Sequence, residues 1–257
     1  MASPTSFVPD EVVARIERAA LAAMPARTRW ELPGWVCLAD DGGFVGRANA
    51  ATPVPHARHA DLAAVVASYA SRHLRPMVRW TRLAPPDAAT LLGSEAWSTW
   101  GEVLVMTRDL GSPGLPVAEG HAVRHGSVTA ADAATDDWTT VYASRYEAEE
   151  AVVRSRLALE APAPKRYVTV AVEGVAAGVG LAVLRDGALG VFDVLTLPDR
   201  RRSGVASLLM SELVAWGRSC GADVSYLQVA ADNAPAIALY QRLGYATAYS
   251  YVYAAPV

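Results

Sequence analysis

The stretch from Val191 to Ala206 constrains this chain more than any other. Val191-Phe192-Asp193-Val194-Leu195-Thr196-Leu197 is an apolar, strand-like run closed by Pro198. Arg200-Arg201-Arg202-Ser203-Gly204-Val205-Ala206 follows. Ser207 to Arg218 then reads as a helix, with Leu208, Leu209, Leu213, Val214 and Trp216 apolar. Strand, short loop and helix in succession leave the first N–H groups of the helix without partners, and the helix dipole adds positive potential there. Gly204 and Ala206 carry little or no side chain, so an anion can approach the backbone. The arginines add charge around it. No Gly-Lys-Ser/Thr follows and no Gly-x-Gly-x-x-Gly is present, so the loop is neither of those phosphate motifs. Taken alone, it also reads as a basic turn capping a surface helix.

A second segment decides between these readings. It runs Tyr226-Leu227-Gln228-Val229-Ala230-Ala231-Asp232-Asn233-Ala234-Pro235-Ala236-Ile237-Ala238-Leu239-Tyr240-Gln241-Arg242-Leu243-Gly244-Tyr245. The first part is a strand. Asp232 or Asn233 can cap a helix with Pro235 in its first turn, and Gly244 can end it. Together the two segments resemble the GNAT superfamily of acyl-CoA-dependent N-acyltransferases. Arg201 to Ala206 fits that family's Gln/Arg-x-x-Gly-x-Gly/Ala pyrophosphate loop. Asn233 with Ala236 to Tyr245 fits its Asn-x-x-Ala-x-x-Leu-Tyr-x-x-x-Gly-Phe/Tyr signature. The resemblance covers Val123 to Val257.

The chain has 257 residues, enough for one large or two ordinary domains, and 52% of them are hydrophobic, which supports a substantial core. A net charge of −3 gives no support for nucleic-acid binding. Cys37 and Cys220 form no metal-ligand cluster and read as buried structural thiols. Met1 to Pro9 lacks the pattern of a signal peptide, and no apolar run approaches the roughly eighteen residues that span a membrane. The cytoplasm is the expected compartment.

Along the chain, helices are expected at Asp10–Ala23, 60–73 and 87–92, and strands at 30–32, 35–39, 44–50, 77–83 and 101–108. Residues 109–116 have linker chemistry, which places a boundary between domains 1–115 and 116–257. The second half is expected to hold a strand at 121–125, helices at 129–146 and 148–159, and strands at 167–172, 175–185 and 188–197. Glu173-Gly174 and Asp186-Gly187 mark hairpin turns. The two halves share an order of elements. The expected fold is therefore α/β (α+β), with tandem GNAT-like domains, each a mixed, mostly antiparallel twisted sheet flanked by helices. The first half is a degenerate copy. Its segment Ala51-Thr52-Pro53-Val54-Pro55-His56 has no glycine, and its prolines lack donors, so it should hold no CoA.

The resemblance implies acetyl-CoA as co-substrate, a primary amine as acceptor, no metal, and a monomer or homodimer without nucleic-acid or membrane partners. Val194, Leu195 and Thr196 would face the pantetheine arm. Arg201, Arg202, Ser203, Gly204, Val205, Ala206 and Ser207 would hold the pyrophosphate. Asn233 would bond pantetheine or order the loop, and Tyr240 would protonate the leaving sulfur. Asp193, one residue before the pantetheine strand, is a candidate base or amine-binding carboxylate. Glu147, Glu149 and Glu150 read as a solvated acidic face, and His121 and His125 as structural. The rival reading is a non-catalytic acyl-CoA-binding sensor or scaffold, which would lose the acid.

Overall fold

The computed structural model describes residues 8–55, 57, 59, 61–85, 90, 96–111, 123 and 126–257. The first half contributes α1 (Asp10–Ala22), β1 (Thr28–Leu32), β2 (Trp35–Ala39), β3 (Ala51–Pro53), α2 (Leu62–Ala70), β4 (Val78–Thr81) and β5 (Trp97–Asp109). The second half contributes β6 (Gly126–Ala131), α3 (Asp136–Ala143), α4 (Ala148–Leu159), β7 (Lys165–Val172), β8 (Val175–Arg185) and β9 (Ala188–Thr196). It closes with α5 (Val205–Ser219), β10 (Val224–Ala230), α6 (Ala234–Arg242) and β11 (Ala246–Pro256).

The described strands form one sheet in the order β1-β2-β3-β4-β11-β5-β10-β9-β8-β7-β6. Its pairs are antiparallel except β3 with β4 and β9 with β10. A helix joins the strands of each parallel pair, α2 in the first half and α5 in the second. This repeat is the tandem architecture expected from the shared order of elements. The halves interleave: β5 lies between β10 and β11, and β11 also pairs with β4.

Side-chain alternation along β8 divides the second half into two layers. Val179, Leu181 and Val183 pack with Trp138 and Tyr142 of α3. Gly178, Gly180 and Ala182 face Val205, Leu209 and Leu213 of α5. Glycines bring that helix close: a Cβ on Gly178 would lie 2.6 Å from Val205 Cγ1 and 2.7 Å from the Leu195 carbonyl. The first residue of α5 therefore rests directly on β8, beside the end of β9.

Three expectations are corrected. Cys37 is buried as expected, but Cys220, at the C-cap of α5, is exposed. Residues 44–50 are not a strand but turns, with 3-10 helices at Asp41–Gly43 and Gly46–Ala48. Gly42 and Gly43 take φ of 66° and 65°, and Asn49 Nδ2 donates to the Val45 carbonyl, so extension is broken there. The start of the expected helix 129–146 belongs to β6, whose Val128 and Thr129 suit an edge strand. The helix begins at Asp136, where Thr135 Oγ1 accepts the Trp138 N–H at 3.2 Å. The expected strand 121–125 and helix 87–92, with His121 and His125, lie largely outside the described residues, as does the 112–116 part of the linker.

α1 ties the halves together. It packs Val13, Ile16 and Ala20 against Tyr226, Tyr249 and Tyr251 of β10 and β11. Glu17 on the same face is 1% exposed and accepts two hydrogen bonds from Arg79 of β4, one of 2.9 Å, and one from the Tyr249 hydroxyl. The Arg79 guanidinium lies 3.8 Å from the Tyr251 ring centroid. Removing one member leaves a buried charge uncompensated. We therefore predict that Glu17→Ala destabilises the fold by about 3–5 kcal/mol in denaturant unfolding. A Glu17→Met, Arg79→Met double substitution should lose much less, and equal losses would contradict this account.

Candidate functional site

The loop between β9 and α5 has the features its sequence suggested. Arg202 and Gly204 take φ of 61° and 89° on either side of Ser203. The Ser203 hydroxyl donates to the Arg200 carbonyl at 2.5 Å, which tightens the turn. Gly204 is the N-cap of α5 and offers no side-chain acceptor to the helix start. The first bond of the helical ladder runs from the Leu208 N–H to the Gly204 carbonyl. The N–H groups of Val205, Ala206 and Ser207 thus precede the ladder and stay free of it. Arg201 and Arg202 are exposed, and neither forms an ion pair among the described residues.

Beside this loop the sheet opens. β9 and β10 are paired from Ala188–Val224 to Val191–Leu227 and no further. β9 nevertheless continues to Thr196 and β10 to Ala230. Leu195 and Thr196 therefore keep β8 on one side, and residues 194–196 have no strand partner on the other. A register shift against β8 between Val179 and Leu181 coincides with Asp193, whose φ is 54°. Thr196 Oγ1 is buried and has no hydrogen-bond partner.

The bulge turns the Asp193 side chain into a cavity on the α3 face that is partly open to solvent. Asp193 Oδ1 accepts the Tyr142 hydroxyl at 3.0 Å. Burial raises the Asp193 carboxyl above the ordinary carboxylate range; Arg47, the Tyr142 hydrogen bond and Arg154 oppose that rise. The first half supplies part of the lining: Ala23, Met24 and Pro25 after α1, with Val45 and Arg47 from the 3-10 turns.

Tyr240 is half-buried against the cluster under α5, with its ring 6.2 Å from that of Tyr245. Burial raises its phenol, and Arg145 just after α3 opposes the rise. A raised phenol stays protonated, which a proton donor requires. Asn233 caps α6, its Oδ1 accepting the Ala236 N–H at 3.3 Å. The loop and the open edge of β9 are thus brought together. Asp193 lies in the cavity on the other face, and no hydrogen bond joins it to Tyr240 or Asn233.

The model of the family described as "Probable histone acetyltransferase Rv0428c C-terminal" matches residues 12–254, almost the whole chain. The chain belongs to the GNAT superfamily. Its relatives include the "Probable histone acetyltransferase Rv0428c" of Mycobacterium tuberculosis, 30% identical over 223 residues. That alignment takes in 83% of this chain and 65% of the relative, so the chain spans just under two thirds of that protein. Among solved structures, a GCN5-related N-acetyltransferase from Kribbella flavida superposes with a TM-score of 0.69 at 19% identity, covering 98% of this chain and 96% of that one. A tandem GNAT protein from the clavulanic acid biosynthesis pathway gives 0.61 at 14% identity, covering 86% and 77%. These likenesses show a shared tandem GNAT fold.

Within this GNAT fold, several cavity residues escaped the sequence reading. Tyr142 belongs to an aromatic stripe, Trp138-Tyr142-Tyr146, at helical spacing, with ring centroids 5.0 and 5.5 Å apart. That spacing was a visible signal. Arg47 carried none, because it reaches Asp193 from the other half of the chain. Glu150 is not merely a solvated acid: its Oε1 accepts from Arg154 Nε at 2.6 Å.

The raised Asp193 carboxyl has a consequence for stability. The folded protein holds this proton more tightly than the unfolded chain, so its contribution is present below the ordinary carboxylate range. It is lost as pH rises through the raised value. We predict that the wild type loses melting temperature, relative to Asp193→Asn, as pH climbs through that window. A difference that does not vary with pH would contradict the burial of an ionisable carboxyl.

Proposed function

We propose that this chain is an N-acetyltransferase that moves an acetyl group from acetyl-CoA to a primary amine by direct attack in a ternary complex. The parting of β9 from β10 beside the free N–H groups of α5 carries the reading. The residues fit the co-substrate. Val205, Ala206 and Ser207 would give N–H donors to the pyrophosphate, with Gly204 leaving room and Arg201 and Arg202 adding charge. Val194, Leu195 and Thr196 would offer their free edge to the pantetheine amides, and the orphaned Thr196 hydroxyl would gain a partner. Asn233, whose Oδ1 already caps α6, would turn its amide donor toward pantetheine.

The amine nitrogen would attack the thioester carbon, and the C–S bond would break. Asp193, directly or through water, would take the proton released by nitrogen; its raised carboxyl makes it a stronger base than a solvent-exposed one. Tyr240 would return a proton to sulfur. The printed name of the mycobacterial relative describes acetylation of a histone, which supports an amine acceptor.

We also propose the division at residue 115. Residues 116–257 would bind the co-substrate, and residues 1–115 would wall the acceptor cavity. The start of α2 supports this: Asp61 Oδ1 accepts the Ala64 N–H at 3.0 Å, so a carboxylate occupies the place an anion would need.

Calorimetry should therefore find one CoA site per chain, and two equivalent sites would overturn the division. Gly204→Glu should abolish CoA binding, because its carboxylate meets the pyrophosphate. Its positive φ should add a stability loss of about 1–2 kcal/mol. Tyr240→Phe should lower kcat by roughly 10²–10⁴ with acetyl-CoA affinity retained. Wild-type turnover in that variant would assign the proton to another donor. CoA binding without acetyl transfer to any of a panel of amines would instead favour the sensor.

A further inference from the structure

The cavity at Asp193 contains two guanidinium groups in different states. Arg154 is satisfied: Nε donates to Glu150 at 2.6 Å and Nη2 to the Phe44 carbonyl at 3.0 Å. Arg47 is not. Its Nη1 is buried without a hydrogen-bond partner, and no described carboxylate forms an ion pair with it. Its recorded contact is with the Phe192 ring, 5.2 Å from the centroid. A cationic nitrogen held out of water without an acceptor is costly and calls for an explanation; this one belongs to a side chain that lines the cavity. Asp193 shares the cavity, but its own hydrogen bond is to Tyr142 and not to Arg47. The site thus presents a carboxyl and a guanidinium with no hydrogen bond or ion pair between them, although the Arg47 charge favours the ionised form of Asp193. The remaining wall is apolar, with Met24, Pro25, Leu157, Leu181 and Val183.

We propose that the acceptor is a free apolar α-amino acid, with its carboxylate on Arg47 and its amine at Asp193. This rests on the N-acetyltransferase reading and names its substrate class. An amino acid supplies an anion for the orphaned guanidinium and an amine for the carboxylate, and its side chain fills the apolar wall. A protein lysine supplies only the amine. It leaves Arg47 unpaired and places a second cation beside it, which the low polarity of the cavity penalises.

Acetyl transfer would be measured for L-alanine, L-valine, L-leucine, L-methionine and L-phenylalanine. Their amides, isopentylamine and a histone tail peptide would be compared. The expected result is a kcat/KM for the best amino acid roughly 10- to 100-fold above its own amide, the range a charge-assisted hydrogen bond supports. Arg47→Met should collapse that ratio toward one, chiefly through KM, and Arg47→Lys should restore part of it. CoA titration of both variants confirms that they are folded. Equal use of amino acid and amide by the wild type would overturn the proposal, as would preference for the histone peptide. If no amine is acetylated, the N-acetyltransferase reading fails separately, and calorimetry with acetyl-CoA present decides the cavity. Binding of one of the five amino acids but not its amide supports the proposal, and binding of none overturns it.

Discussion

The separation of β9 from β10 is the constraint on which the rest of the site depends. Parallel strands normally stay paired because each unpaired N–H and C=O buried in a sheet is costly. Here pairing stops at Val191 and Leu227 while both strands continue. The bulge at Asp193 bends β9 away, and the left-handed residue it requires is an aspartate with φ of 54°. One distortion therefore does two things. It frees the edge of residues 194–196 and turns a carboxylate into the cavity beneath α3. Gly178 then lets the start of α5 settle against β8, which sets the free N–H groups beside that edge.

The interleaving of the halves makes the first half part of the framework of the second. β5 lies between β10 and β11, so the sheet of the second half is completed by a strand of the first. α1 covers this seam, and its end leads into Ala23, Met24 and Pro25 on the cavity wall. Arg15 of the same helix reaches Asp223 at 2.6 Å and the Asp186 carbonyl at 2.8 Å, just before β10 and in the β8–β9 turn. The Glu17–Arg79 pair fixes the helix in depth. The cavity is thus built across the seam, and one of its two guanidinium groups, that of Arg47, comes from the first half.

What the sequence made legible was local. The hairpin turns at Glu173-Gly174 and Asp186-Gly187 were readable because two consecutive left-handed residues suit such turns, and all four take positive φ. The β9–loop–α5 segment was readable because a glycine N-cap and an amphipathic helix are local signals. β6 was misread because it is an exposed edge strand, so no buried face imposed alternation on residues 126–130. The partnership of Asp193 with Tyr142 joins residues 51 positions apart, and Arg47 comes to the same cavity from the other half of the chain. No pattern along one strand or helix encodes such a contact.

Amide hydrogen exchange with and without acetyl-CoA tests the central claim most directly. The N–H groups of residues 205–207 lie outside the helical ladder and should exchange quickly in the free protein. Acetyl-CoA should slow exchange there and along 194–196, and leave residues 61–65 at the start of α2 unchanged. Protection at the start of α2, or none at 205–207, would contradict the assignment of the open β9 edge and the α5 loop as the co-substrate site.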